Sequence, residues 1–462
     1  MSHKPNLFSA EFQAFLAVGT TFEWGMAQKV DGVCRVPRLQ DWVRTDAVAT
    51  LLKNLMAYGA AEFSVRAVRL ITVIVMARHL QPEVLGIAAL SLTLFELIRV
   101  LANVGVGQLI IATPADQLAS VCDAAHRLFW KWCAGVALVQ LSGAVVLALM
   151  LDQIMAAQML AVLALVYLMM PGGLVQCYLL MREGHAGLTA RTAAIQTISD
   201  HVLTMTLLLI WQSPWSIILP KLITAPLWLI LTRRAHVWRP TAGSQAIPVR
   251  GLLRYGLPIL ASEMLTTMRG QLDKIIIAAT LGVSALGTYF FAFNAGIGIL
   301  SSLITAFGTV IFPALCAEKK GKARQAKLKM IIIMGCMIFL PLIFAQSVLA
   351  SFYVPLIFGA HWAHAVPLIS ILCLAGFPLL IVAIVTAWLR AQGRSATDAK
   401  LSALSCVLSL GGLWIGTQTG VLTWAAALWV SGLCLSILPF AIHVVRKTNA
   451  GPLPLPSQET VS

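Results

Sequence analysis

The sequence predicts an all-α integral membrane protein, with about 12 transmembrane helices in two pseudo-symmetric six-helix bundles around a central cleft. Three observations predict it. Of the 462 residues, 59% are hydrophobic and 11% charged, against roughly 25% charged in soluble domains, and mean hydropathy is +0.85. The apolar residues fall in runs of about 18 or more, the length that crosses about 30 Å of hydrocarbon. The basic residues behind the formal net charge of +15 lie between those runs. That is where cytoplasmic loops carry them, and it argues against nucleic acid as a partner.

Taken in order, residues 1–50 are a polar N-terminal extension of mixed charge, without the basic, apolar and small-residue succession of a signal peptide. Residues 51–232 are the N-terminal bundle, with spans near 55–77, 84–111, 128–151, 154–181, 192–211 and 215–232. Residues 233–254 hold Pro240, Gly243, Ser244 and Pro248 and read as a cytoplasmic linker. Residues 255–446 are the C-terminal bundle, with spans near 255–280, 286–314, 330–353, 366–389, 400–417 and 421–444, and 447–462 is a cytoplasmic tail.

Orientation follows from Lys and Arg. With the N-terminus inside, the inner loops hold Arg127 and Lys131, Arg182 and Arg191, then Arg233, Arg234, Arg239, Arg250 and Arg254. Further on come the run from Lys319 to Lys329, Arg390, Arg394 and Lys400, and finally Arg446 and Lys447. The outer loops hold little more than Arg78, so both termini are expected in the cytoplasm.

The halves echo each other. At an offset of 201 positions Glu62 meets Glu263, Ala77 meets Ala278, Leu80 meets Leu281, Leu85-Gly86 meets Leu286-Gly287 and Gly107 meets Gly308. A second echo sets Arg182 to Arg191 against Arg390 to Lys400. An even number of spans per half makes the repeats parallel, an arrangement used by transporters.

Several chemistries find no support. The nine cysteines are scattered without a C-x-x-C and read as small packing residues, so no metal site or disulfide framework is expected. Walker A, H-E-x-x-H and nucleophile-elbow motifs are absent, and no outer loop exceeds about a dozen residues. An enzyme is therefore not expected, nor a bound cofactor.

Ionisable residues inside apolar spans form the short list, because each costs at least ~2.5–3.5 kcal/mol at a helix centre. Glu62, Arg66 and Arg69 fall on one helix face by their i,i+4 and i,i+3 spacing, and Thr72 extends it. Two readings stand: an anion site, since a guanidinium matches phosphate oxygens by paired hydrogen bonds, or a Glu62–Arg66 ion pair that fixes packing. The surplus positive charge favours the first. Glu96 and Arg99 are spaced to pair and suit a structural or gating role. Arg269, near the image of Arg66, is the second half's candidate for the anion site. Asp273 is spaced to pair with Arg269, and Asp273-Lys274 read as a gate or a solvated pair. Lys221 reads as snorkelling to the outer surface, and Asp200-His201 as a buried pair or a proton relay.

These residues also carry a family resemblance. Ala77-Arg78-His79-Leu80-Gln81-Pro82-Glu83-Val84-Leu85-Gly86 is similar to a motif A-R-x-L-x-P-E-x-x-G, and Val104-Gly105-Val106-Gly107 to a glycine turn that closes the second span. Leu272-Asp273-Lys274-Ile275-Ile276-Ile277, then Leu281-Gly282, Leu286-Gly287-Thr288-Tyr289 and Ala292, with Phe312-Pro313-Ala314 beyond, complete the pattern. From Leu51 to Arg446 the chain resembles the bacterial polysaccharide flippases of the multidrug/oligosaccharidyl-lipid/polysaccharide exporter superfamily. The resemblance implies a polyprenyl-diphosphate-linked oligosaccharide as substrate, moved between leaflets of the bacterial inner membrane by alternating access. It implies that cavity arginines, here Arg66, Arg69 and Arg269, hold the diphosphate. It further implies coupling to H+ or Na+ through Glu62 or Glu263, contact with membrane lipid, and a polysaccharide polymerase and export machinery as partners. A cation-coupled exporter of drugs or metabolites shares the architecture, but acidic residues should then dominate its cleft. A membrane polysaccharide polymerase would need a large outer loop.

Overall fold

The computed structural model describes residues 64–240, 249–316, 322–392 and 394–449, and every regular element among them is helical. In lipid a backbone must satisfy its own N–H and C=O groups, which leaves helices as the available element for runs this apolar. The first part of the chain contains α1 (64–79), α2 (Pro82–Ala102), α3 (Val106–Ala112), α4 (Leu118–Met150), α5 (Ile154–Leu163), α6 (Val166–Met169), α7 (Pro171–Arg182), α8 (Ala186–Ile210) and α9 (Trp215–Ala235). Then follow α10 (Val249–Leu281), α11 (Val283–Ala295), α12 (Ile297–Cys316), α13 (Lys322–Val348) and α14 (Ala350–Tyr353). A π-helical turn and a 3-10 turn lead into α15 (Val366–Leu374), α16 (Gly376–Ala391), α17 (Ser395–Thr417) and α18 (Leu422–Asn449). Among the described residues seven helices are long and apolar enough to cross a membrane, and two bent pairs raise the number to nine. The predicted extension 1–50 and Glu62 lie outside the described residues.

The helix ends explain the motifs. Pro82 occupies the first turn of α2, where its missing N–H costs nothing, and Glu83 places a carboxylate at the positive end of the helix. The α2 helix stops at Ala102, within the predicted span 84–111. Gly105 takes a φ of 73°, a left-handed conformation that suits glycine, and the chain restarts as α3. Gly256 of α10 lies against this break, and a Cβ there would overlap the carbonyl oxygen of Val104. Apolar helices in lipid gain little from expelling water, so attraction between them depends on such close approach and on hydrogen bonds. Val104, Val106, Ile110, Phe129, Val175 and Leu252 are buried around the same point. A second break falls at Pro171, where the segment Ile154–Met169 (α5 and α6) meets α7 at 54°, as expected where a ring replaces an amide donor.

A buried polar cluster links three of these helices. Gln140 of α4 donates to the Leu160 carbonyl at 2.7 Å and accepts from the Tyr167 hydroxyl at 2.8 Å. The opposite face of α4 turns Leu138, Val145, Leu149 and Met150 outward, the face of a helix whose surroundings are lipid.

The chain divides into two compact units, with the boundary at Gln271 and Leu272 inside α10. The polar break predicted over 233–254 is narrower than expected: α9 runs on to Ala235 and α10 begins at Val249. Arg233 and Arg234 close α9 at the end where cations suit the helix dipole, so the helix outlasts the apolar run. Within the second unit Trp362 is fully buried and packs against Phe291, ring centroids 3.9 Å apart and planes tilted by 32°. There α17 and α18 form a hairpin pinned by a buried hydroxyl pair, Ser436 donating to Ser405 at 2.9 Å.

Candidate functional site

The α1 helix presents Arg66 partly buried and Arg69 exposed, three residues apart and so on one face. Thr72 is not part of an open polar stripe: it is buried and its hydroxyl donates to the Val68 carbonyl at 2.8 Å. On α2 the predicted pair forms within the helix. Arg99 donates through Nε at 2.9 Å and Nη2 at 2.7 Å to Oε2 of Glu96, with both side chains partly exposed.

The α10 helix carries two candidates in the first unit. Arg269 is exposed. Glu263 is partly buried and accepts a 2.6 Å hydrogen bond from Asn103 Nδ2, while the Asn103 carbonyl oxygen accepts from the Tyr178 hydroxyl at 2.9 Å. The amide thus joins α10 to α7 at the chain break after α2, so Glu263 sits where the helix direction changes. Neither Asn103 nor Tyr178 was marked by the sequence, where each is a lone polar residue in an apolar run.

Two expectations are corrected. Asp273 is held by Tyr289, whose hydroxyl donates to Oδ2 at 2.8 Å, and by Lys274 Nζ, 3.5 Å from Oδ1; these replace the partner Arg269 that the i,i+4 spacing suggested. Both members of the Asp273-Lys274 pair are buried and not solvated, and Lys274 also lies 5.3 Å over the Phe293 ring. Lys221 does not snorkel outward. Its Nζ is 3.1 Å from Oδ2 of Asp200, on the neighbouring helix of the α8–α9 hairpin. A carboxylate in direct contact attracts the ammonium strongly where water is partly excluded.

The second sequence echo covers two different jobs. In the first unit Arg182 donates to the carbonyls of Ile110 and Ile111 at 3.0 and 2.8 Å, closing the end of α3. In the second, Arg390 Nε donates to Asp398 at 2.9 Å, and Thr386 donates to the other oxygen of that carboxylate at 2.8 Å.

Bent apolar helices with charges paired inside each unit and lipid-facing outer walls define a multi-pass membrane protein of transporter type. The chain belongs to the polysaccharide biosynthesis protein family, whose profile matches residues 75–367. This is the family that the Ala77–Gly86 and Leu272–Ala292 motifs resemble. A relative, the succinoglycan biosynthesis transport protein ExoT of Rhizobium meliloti, is 24% identical over 368 residues, 78% of this chain and 73% of its own length. The lipopolysaccharide biosynthesis protein WzxC of Escherichia coli is 21% identical over 357 residues, 76% of this chain and 71% of its own. In fold the chain is similar to the lipid II flippase MurJ, with a TM-score of 0.68 at 11% identity over 85% of this chain and 87% of that one. It is also similar to an inward-facing multidrug resistance MATE transporter, with a TM-score of 0.61 at 14% identity over 83% of this chain and 96% of that one. The fold is therefore shared by transporters of unlike cargo, and the choice of cargo rests on the family and on the charged residues.

Proposed function

We propose that this chain moves an oligosaccharide repeat unit, linked to a polyprenyl diphosphate, from the inner to the outer leaflet of the bacterial cytoplasmic membrane. Movement is by alternating access of two six-helix halves, 51–232 and 255–446. The observation that carries the reading is the pair of arginines, Arg66 and Arg69, on one face of a helix whose following residues are apolar. A diphosphate is a compact polyanion, and fixed guanidinium groups in a low-dielectric setting match it. Arg269 is the third cation. Glu62 or Glu263 couples the cycle to a proton or sodium gradient, and the Glu96–Arg99 pair serves as a gate. A polymerase and export machinery take the product on the far side.

The test is leaflet location. Cells depleted of the chain should keep their lipid-linked oligosaccharide protected from periodate added outside sealed spheroplasts, and restoring the chain should expose it. Equal exposure with and without the chain would sink the reading. Orientation is checked separately: a reporter fused after Arg250 should read cytoplasmic, and an outer signal there would reverse the topology.

A further inference from the structure

The Asp200–Lys221 pair has no part in the transport cycle proposed above. Asp200 lies ten residues before the end of α8 at Ile210. At 1.5 Å per residue that is about 15 Å, half of a roughly 30 Å hydrocarbon layer. Asp200 is only 9% exposed. One of its oxygens meets Lys221, and the other, Oδ1, is buried without a hydrogen-bond partner. A buried ion pair kept for stability needs its remaining lone pairs satisfied. This one is half satisfied.

The surroundings are cationic. Arg69 of α1 and Lys221 of α9 both lie close enough to His201 to bear on its charge, as does Asp200. Asp200 meets Lys221 from α9 directly, and Arg69 from α1 lies near the adjoining His201. The carboxylate thus holds one cation, and a second lies in the neighbourhood of His201. The α9 helix is also jointed at this place. Pro220 precedes Lys221 and Pro226 follows it, which removes the amide donors that the Ser216 and Leu222 carbonyls would meet in an unbroken helix.

We infer that the Asp200–Lys221 pair is a displaceable lock on the head-group site: an incoming diphosphate draws Lys221 away from Asp200, and Asp200 takes up one proton from water. The inference rests on the diphosphate reading above. The ammonium gains phosphate oxygens as partners beside Arg69. The carboxylate left behind would be ionised, buried and without a donor on either oxygen, so the neutral acid is favoured. The charges balance: the ligand's negative charge is met by Arg69 and Lys221, and the proton cancels the abandoned carboxylate. One proton enters for each head group bound.

The experiment uses the purified full-length chain in nanodiscs, titrated with a short-chain polyprenyl diphosphate in weak buffer containing a pH-sensitive dye. Wild type should take up about one proton per ligand, and its binding should tighten by about tenfold per pH unit lowered, relative to the Asp200→Asn variant. Asp200→Asn should bind at least as tightly and add no uptake of its own. The double variant Asp200→Asn with Lys221→Met carries a neutral pair, which guards against misfolding, and should bind about tenfold more weakly than wild type. Uptake in Asp200→Asn equal to wild type, or wild-type affinity in the double variant, would overturn the lock. In either case, loss of binding in Arg66→Ala with Arg69→Ala would leave the diphosphate site standing. Absence of binding by wild type would bring down both.

Discussion

Alanine at both Arg66 and Arg69 should abolish surface polysaccharide while the protein remains in the membrane at its normal level. The two guanidinium groups share one face of α1. A hydrogen bond to a charged group contributes roughly 1.5–3 kcal/mol, so removing both side chains should weaken head-group binding by about 3–6 kcal/mol, or roughly 10²–10⁴ in affinity. A loss of that size exceeds what an excess of carrier lipid could offset. Lysine at the same positions should restore only part of the activity, since a point charge replaces a planar fork. Polysaccharide on the cell surface and protein in the membrane fraction are measured side by side. If the arginines served packing alone, through an ion pair with Glu62, the protein itself would disappear. If surface polysaccharide were normal in the double variant, the anion site would be lost as an idea.

The helices were legible because spans in lipid leave a compositional trace, and their interruptions were not. Hydropathy reads 84–111 as one run, yet α2 ends at Ala102 and α3 begins at Val106. Val104 and Val106 are apolar on both sides of the break, so only Gly105 and the family motif hinted at a turn. The α4 and α10 helices start earlier than predicted, at Leu118 and Val249. Their first three turns hold Asp123, Arg127, Arg250 and Arg254, residues that a membrane excludes and a helix accepts. For the charged residues the limit was distance along the chain. Glu96 and Arg99 are three apart, and that pair was readable. Tyr289 reaches Asp273 from 16 residues on and Lys221 reaches Asp200 across 21. A contact made through a hairpin leaves no periodic mark, so Asp273 was assigned its nearest opposite charge and Lys221 the nearest water.

Asp273 should prove indispensable to accumulation of the protein, and its loss should be repaired by also removing the charge it meets. The side chains of Asp273 and Lys274 are 6% and 9% exposed, so neither has water to fall back on. Asp273→Ala takes a counter-ion from the buried ammonium and the acceptor from the Tyr289 hydroxyl. Breaking such a pair on one side costs about 3–5 kcal/mol, and the orphaned hydroxyl adds about 1–3 kcal/mol. That is comparable to the whole stability of many folded domains, about 5–15 kcal/mol. The single variant should therefore be degraded, with little protein in the membrane fraction. Asp273→Ala combined with Lys274→Met replaces the pair by apolar groups, a change that is often neutral or stabilising in a buried setting. The double variant should return to the membrane at close to normal levels. A gate would behave differently: Asp273→Ala would then accumulate normally and fail only in transport. Normal abundance of the single variant would remove Asp273 from the packing of the second unit and return it to the transport cycle.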